Sequence, residues 1–104
     1  MTTDVLTGMR VFAAVVDAGS FAKAADKLDL SRGMTSRYVA QVEAHLGVRL
    51  LNRTTRRLSL TEAGDDYYRR AIQVLALVAE AEHAAVQEAS ERSEERRVGK
   101  ECRL

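Results

Sequence analysis

The chain has 104 residues, the length of one small domain, and its 46% hydrophobic and 30% charged residues are ordinary for a soluble globular protein. The sequence contains neither the apolar run of roughly 18 to 20 residues that a membrane helix needs nor the basic-then-apolar order of a signal peptide, so we expect a cytoplasmic protein with no membrane partner. The single cysteine, Cys102, excludes an internal disulfide. Proline is absent and Ala, Glu, Leu and Arg are abundant, so we predict a mainly α fold. The net charge of +1 is by itself uninformative.

The first half of the sequence predicts three helices. Apolar residues recur every three or four positions over residues 5 to 18, Gly19 ends this helix, and Ser20 caps a second, alanine-rich helix of about two turns. Ser31 caps a third helix that ends near Leu46, before Gly47. A short helix, a tight turn and a longer helix form a helix-turn-helix. The predicted buried positions are Leu6, Met9, Phe12, Ala13 and Val16 in the first helix, and Thr35, Val39, Val42 and Leu46 in the third.

The second half predicts a β-hairpin and a long helix. Residues 48–53 and 57–60 favour strands and flank a polar tip, which is typical of a wing. Thr61 caps the long helix, whose apolar seam is too wide for so small a domain to cover, so we expect a second copy to pair with it. The expected dimerisation residues are Tyr67, Ala71, Val74, Leu75, Val78, Ala81 and Ala85.

The expected organisation has three parts. Residues 1–60 form a winged helix-turn-helix of three helices and a two-stranded wing, and residues 61–89 form a linker and dimerisation helix. Residues 90–104 lose the apolar spacing and mix both signs of charge, so we expect a disordered or non-native tail there.

Positive charge is concentrated around the third helix and the hairpin. The window from Arg32 to Arg57 has six arginines against one acid, Glu43, so it carries +5 and the rest of the chain −4. Such a block is typical of a polyanion site, although a solvated arginine-rich surface is the alternative. Arginine side chains form hydrogen bonds with guanine bases and with phosphates, and serine or threonine hydroxyls contact bases or phosphates. The candidate DNA-binding residues that this pattern indicates are Arg32, Gly33, Ser36, Arg37, Arg53, Thr54, Arg56 and Arg57.

Catalytic chemistry has no support in the sequence. His45 and His83 are far apart, and Asp65 and Asp66 are adjacent and would diverge on a helix. No HExxH, CxxC or glycine-rich phosphate loop occurs. We therefore expect no enzyme activity, no cofactor and no metal.

The segment "SFAKAADKLDLSRGMTSRYVAQVEAHLGVRLLNRTTRRLSLTEAG" resembles the N-terminal winged helix-turn-helix of LysR-type transcriptional regulators, and the likeness extends from Met9 to about Ala89. The resemblance implies a bacterial, sequence-specific regulator that binds interrupted inverted repeats as a dimer and responds to a small-molecule inducer. It makes the long helix the family's linker helix. By position, the family's DNA contacts fall on Arg32, Gly33, Ser36 and Arg37, less firmly on Ser31 and Thr35, and on Arg53 or Arg56 in the wing.

Two departures from the family pattern bear on function. Family members often have Gln-Pro where this chain has Arg32 and Gly33. They often have a small residue followed by Val where this chain has Met34 and Thr35. We therefore expect a different base preference. The family's effector-binding domain of two α/β lobes has no counterpart here, so we expect a truncated regulator without a small-molecule effector. The alternative is a winged-helix protein-interaction module that dimerises through the long helix without specific DNA binding.

Overall fold

A computed structural model describes the backbone of residues 4–53 and 57–103, and the side chains of residues 4–53 and 57–91. The described elements are α1 (Val5–Ala18), α2 (Phe21–Leu28), α3 (Arg32–Leu46), β1 (Leu51–Arg53), β2 (Leu58–Leu60) and α4 (Glu62–Arg103). This order confirms the predicted mainly α, winged helix-turn-helix fold followed by a long helix.

The helix ends lie where their capping residues predict them. Gly19 and Gly47 follow α1 and α3 with φ angles of 77° and 76°, a left-handed conformation that glycine adopts without steric cost. The hydroxyl oxygens of Ser20 and Ser31 each accept a hydrogen bond of 3.0 Å from the backbone amide three residues later. These local contacts set where α2 and α3 begin.

The core lies between α1, α3 and the start of β1. Phe12, Val15 and Val39 are 0% exposed, and Leu50 and Leu51 are 1% exposed. Removing this apolar surface from water is the main favourable contribution to folding.

The buried face of α1 differs from the predicted one. Its fully buried centre runs through Gly8, Val11, Phe12 and Val15, whereas the predicted Leu6, Met9 and Val16 are only half-buried. A Cβ atom added to Gly8 would lie 2.6 Å from Cγ2 of Val42, so α1 and α3 approach each other at a residue that has no side chain. A pattern of apolar side chains does not reveal such a contact. In α3, Thr35, Val39 and Val42 are buried as predicted, but Leu46 is 41% exposed.

The wing is a short antiparallel hairpin, as predicted. Leu51 pairs with Leu60 and Arg53 with Leu58. The amide of Thr61 then donates a hydrogen bond of 3.0 Å to the carbonyl of Leu50, which joins the base of the hairpin to the start of α4. The first strand begins at Leu51, later than predicted, because Val48 belongs to the turn that follows α3.

The first turns of α4 pack on α1. The rings of Tyr67 and Phe12 have centroids 5.5 Å apart, and Ala71 is 0% exposed. The hydroxyl of Tyr68 donates a hydrogen bond to the carboxylate of Asp17, which raises the pKa of this tyrosine. Residues 79–91 are all exposed, so α4 leaves the domain after Val78.

The helix also continues past its predicted end at Ala89. Its backbone is helical through Arg103, for a length of 42 residues. Residues 90–103 contain no proline and are rich in Glu and Arg, both good helix formers, so the loss of apolar spacing does not by itself end the helix. The non-native origin of residues 90–104 stays a prediction.

Candidate nucleic-acid interface

The first two turns of α3 separate a polar face from a buried one. Arg32, Gly33 and Arg37 are exposed and Ser36 is half-buried, whereas Thr35, Val39 and Val42, which lie along another side of the helix, are buried. We call Arg32, Gly33, Ser36 and Arg37 the recognition face. Sequence reasoning grouped these four residues, and the structure places them together on one outward surface.

Thr35 belongs to the core rather than to the recognition face. It is 0% exposed, and its hydroxyl donates a hydrogen bond of 2.9 Å to the carbonyl of Ser31. This bond satisfies a polar group whose burial would otherwise cost free energy. Ser31 is exposed, but its hydroxyl oxygen caps α3. Thr35 therefore has no exposed surface that a ligand could contact, whereas Ser31 is exposed.

Gly33 has no evident structural role among the described residues. Its φ angle is not in the left-handed region, and a Cβ atom added there would come no closer than 4.0 Å to the hydroxyl oxygen of Ser31. Glycine lowers helix stability by about 0.5 to 1 kcal/mol relative to alanine. No contact among the described residues therefore requires a glycine at this position.

Glu43 is a site residue that sequence reasoning missed. Its Oε2 accepts hydrogen bonds from the amides of Leu50, at 2.8 Å, and Leu51, at 3.1 Å. Its Oε1 lies 3.6 Å from Nη2 of Arg53, and the Glu43 side chain is only 12% exposed. The available signal was its position as the one acid among six arginines. Glu43 attaches the wing to the C-terminal half of α3.

The wing candidates differ in their surroundings. The guanidinium of Arg53 faces the carboxylate of Glu43 and lies 5.2 Å from the ring centroid of Phe21. Arg53 therefore makes contacts within the domain. Arg57 is exposed beside β2. Thr54 and Arg56 lie outside the described residues.

The joint between the wing and α4 depends on Thr61 and Gly64. The Thr61 hydroxyl donates to the carbonyl of Arg49 at 2.7 Å and accepts from the amide of Gly64 at 2.9 Å, which confirms Thr61 as the helix cap. A Cβ atom added to Gly64 would lie 1.9 Å from the carbonyl oxygen of Leu50. This close contact was not predicted.

Residues 6–65 match the family described as bacterial regulatory helix-turn-helix protein, lysR family, over more than half of the chain. The chain belongs to this family. Membership confirms the predicted resemblance to the LysR family over residues 6–65.

Two relatives illustrate the similarity and its extent. An HTH-type transcriptional repressor of Pseudomonas aeruginosa is 58% identical over 65 residues, which are 62% of this chain and 20% of the relative. The HTH-type transcriptional regulator CrgA of Neisseria meningitidis is 51% identical over 74 residues, 71% of this chain and 25% of the relative. The lysR-family chain thus spans a fifth to a quarter of the length of these relatives.

Solved structures of the family share the fold. The DNA-binding domain of BenM, in complex with catB site 1 DNA, aligns with a TM-score of 0.79 at 38% identity and covers 82% of this chain and 94% of its own. The CbnR DNA-binding domain in its DNA complex aligns with a TM-score of 0.74 at 33% identity, over 81% and 97% of the two chains.

The predicted dimerisation residues of this lysR-family chain fall into two groups. Tyr67 and Ala71 pack in the chain's own core, and Leu75 and Val78 are half-buried at its edge. Val74, Ala81 and Ala85 are exposed. Three further large apolar residues of α4 are exposed: Ile72 at 41%, Leu77 at 63% and Val86 at 69%.

The described residues give no support for other kinds of site. They contain no group of three or more His, Cys, Asp or Glu side chains placed to hold a metal ion. None of the described helices is both long and apolar enough to span a membrane.

Proposed function

We propose that this chain is the sequence-specific DNA-binding part of a transcriptional regulator, with α3 in the major groove and the wing on the minor groove or phosphates. The observation that carries the proposal is the outward recognition face, on which Arg32 and Arg37 are exposed while the other side of α3 is buried. The BenM and CbnR domains, which share this fold, were solved as DNA complexes, and this supports the proposal.

Each member of the recognition face has a chemical role in this proposal. Arg32 and Arg37 supply guanidinium groups that form paired hydrogen bonds with guanine, and Ser36 supplies a hydroxyl for a base or a phosphate. Gly33 leaves room for the DNA backbone. In the wing, Arg57 and the tip residues Thr54 and Arg56 contact the minor groove or phosphates, and Ser31 lies beside the same surface.

We further propose that two copies pair through α4 and bind an inverted repeat. The exposed apolar residues Val74, Leu77 and Val86 support this, because apolar side chains on a helix that extends away from its domain are stabilised by a partner helix. A dimer with a two-fold axis presents two recognition helices to two symmetric half-sites. Such a protein acts in the bacterial cytoplasm, where its DNA is.

The exposed apolar surface of α4 also favours a second candidate function, a protein-interaction module that does not bind DNA specifically. The two candidates differ in what the arginines do. In the interaction module the recognition face is a solvated surface, so any DNA binding is non-specific: it does not discriminate between sequences, and Arg37 makes no special contribution to it. One experiment therefore separates them.

Replacing Arg37 by alanine is expected to reduce affinity for a DNA duplex enriched from a random-sequence pool by the wild-type protein. One lost bidentate contact costs about 1 to 3 kcal/mol, so the dissociation constant should rise roughly 5- to 150-fold. Discrimination against a scrambled duplex should fall as well. Fluorescence anisotropy across a salt series measures both effects.

Two controls make this test decisive. Arg10→Ala removes one arginine from the exposed side of α1, away from the recognition face, and should leave sequence discrimination unchanged. The wild-type affinity should fall as salt rises, with a log-log slope of about −0.9 for each phosphate neutralised. Binding that ignored salt and the Arg37 substitution would reject the DNA-binding proposal.

Replacing Gly33 by alanine is expected to have opposite effects on stability and on DNA affinity. Because the added methyl group has open space, the free energy of unfolding should rise by up to about 1 kcal/mol. The same methyl group would obstruct the DNA backbone, so affinity for the enriched duplex should fall. Chemical denaturation and anisotropy measure the two quantities, and a more stable variant with unchanged affinity would remove Gly33 from the interface.

A further inference from the structure

Arg53 and Glu43 form a cluster that the proposed contacts do not use. Arg53 was predicted to contact DNA, yet its guanidinium faces the Glu43 carboxylate at 3.6 Å and the Phe21 ring at 5.2 Å. Its side chain is 35% exposed, so these contacts leave part of it open to solvent. The cluster joins the first residue of α2, the C-terminal half of α3 and the end of β1.

The same carboxylate also holds the start of the wing. Glu43 accepts hydrogen bonds from the consecutive amides of Leu50 and Leu51, and its second oxygen faces Arg53 at the other end of β1. Hydrogen bonds to an ionised acceptor are about twice as strong as those between neutral groups. One side chain of α3 therefore fixes both ends of β1.

The wing needs such an attachment because it is small. Each of its strands has three residues, and the sheet has two strands. An isolated two-stranded hairpin is marginally stable in water at best. Its direction relative to α3 is therefore determined by what holds it to the helices, and Glu43 and Arg53 provide polar contacts of that kind.

We propose that Glu43 is a positioning residue for DNA binding: through Arg53 and the amides of β1 it sets the wing at a fixed angle to the recognition helix. This inference rests on the proposed function, because it assumes that α3 and the wing bind one duplex together. In it, Arg53 affects DNA affinity through the position of the wing and makes no phosphate contact of its own.

The sign of the effect of Glu43 separates this inference from simple electrostatics. Removing a negative charge from a surface that binds a polyanion should strengthen binding. Loss of a positioning contact should weaken it, because the wing then samples orientations that do not fit the groove. The two accounts predict opposite changes for one substitution.

The test compares Glu43→Gln, Arg53→Gln and the double variant on the enriched duplex. The Glu43→Gln substitution keeps the size of the side chain and an oxygen for the two amides but loses the ion pair. Each single variant should bind roughly 5- to 30-fold more weakly, and the double variant no more weakly than Arg53→Gln alone. Asp26→Asn removes an exposed acid from α2 as a matched control and should bind as the wild type does, or slightly more tightly.

Two further readouts distinguish positioning from a general loss of structure. Hydroxyl-radical protection by the wing should disappear in both variants, whereas protection of guanines in the major groove by α3 should remain. The salt slope of Arg53→Gln should equal that of the wild type. Arg53→Gln keeps the hydrogen bonds that the amides of Leu50 and Leu51 donate to Glu43, so this variant still tests the inference if Glu43→Gln is poorly folded.

Three outcomes would overturn the inference. They are equal or tighter binding by Glu43→Gln, multiplicative losses in the double variant, and a salt slope for Arg53→Gln reduced by about 0.9, the signature of one lost phosphate contact. If the wild-type protein itself showed no salt-dependent binding, the proposed function would fail. The two failures are therefore distinguishable.

Discussion

Replacing Gly64 by alanine is expected to lower the free energy of unfolding by at least about 3 kcal/mol. The new Cβ atom would lie 1.9 Å from the carbonyl oxygen of Leu50 and 2.8 Å from its carbonyl carbon. Both are backbone atoms of a segment that is itself buried, so no side-chain rotation relieves the overlap. Either α4 or the base of the wing has to move, and the core that both complete is disrupted.

Urea denaturation followed by tyrosine fluorescence measures this effect, because Tyr67 lies against Phe12 in the core. Gly33→Ala is the matched control, since it makes the same change in the first turn of another helix where the added atom has open space. The control should be as stable as the wild type or more so. Equal stability of Gly64→Ala and the wild type would show that the wing and α4 are joined more loosely than described.

Replacing Val74 and Val78 together by glutamine is expected to separate the proposed dimer and to weaken binding to a duplex with two half-sites by about 10²- to 10⁴-fold. Two linked binding units gain affinity because the second binds at a high effective concentration, and this gain is lost when the units separate. Glutamine is neutral and a good helix former, so neither charge nor helix propensity accounts for the change.

The dimerisation prediction has two controls. A duplex with a single half-site should bind the double variant as well as it binds the wild-type protein. Ala76→Gln changes an exposed residue on the other side of α4, since residues two apart in a helix differ by about 200°. Sedimentation equilibrium gives the oligomeric state of each variant. A double variant that remained dimeric would place the pairing surface elsewhere, with the exposed Leu77 as the next candidate.

The starts of α2, α3 and α4 and the ends of α1 and α3 were predictable because capping residues act locally, whereas the end of α4 was not predicted. Ser20, Ser31 and Thr61 each bond to an amide three residues on, and Gly19 and Gly47 each adopt a conformation that other residues resist. None of these contacts depends on the rest of the fold. The recognition face was predictable for a related reason, since Thr35, Val39 and the helical period fix which side of α3 faces the core.

Contacts between distant segments were not predictable from spacing. The close approach at Gly8 requires Val42, and the one at Gly64 requires Leu50. The spacing of apolar side chains predicts which residues are buried, but it does not show where a glycine lets two segments come close together. For this reason the observed buried face of α1 differs from the predicted one.

Residue type also hid differences in role among the candidates. Arginine in an arginine-rich hairpin favours a DNA contact, but Arg53 lies beside Glu43 and Phe21, whereas Arg37 is exposed on α3. Threonine at Thr35 offered a hydroxyl, but that hydroxyl bonds within its own helix. A sequence gives the donors and acceptors, and only the fold gives their partners.

The length of α4 beyond Val78 has a mechanical consequence for the proposed dimer. The helix runs on to Arg103, and at about 1.5 Å per residue the overhang is roughly 38 Å long. A tilt of about 10° at its root moves the far end by roughly 6 to 7 Å, close to two base-pair steps of about 3.4 Å each. In the proposed dimer such a tilt would change the distance between the two recognition helices, so we expect the packing of Tyr67 and Ala71 at the base of α4 to affect the half-site spacing.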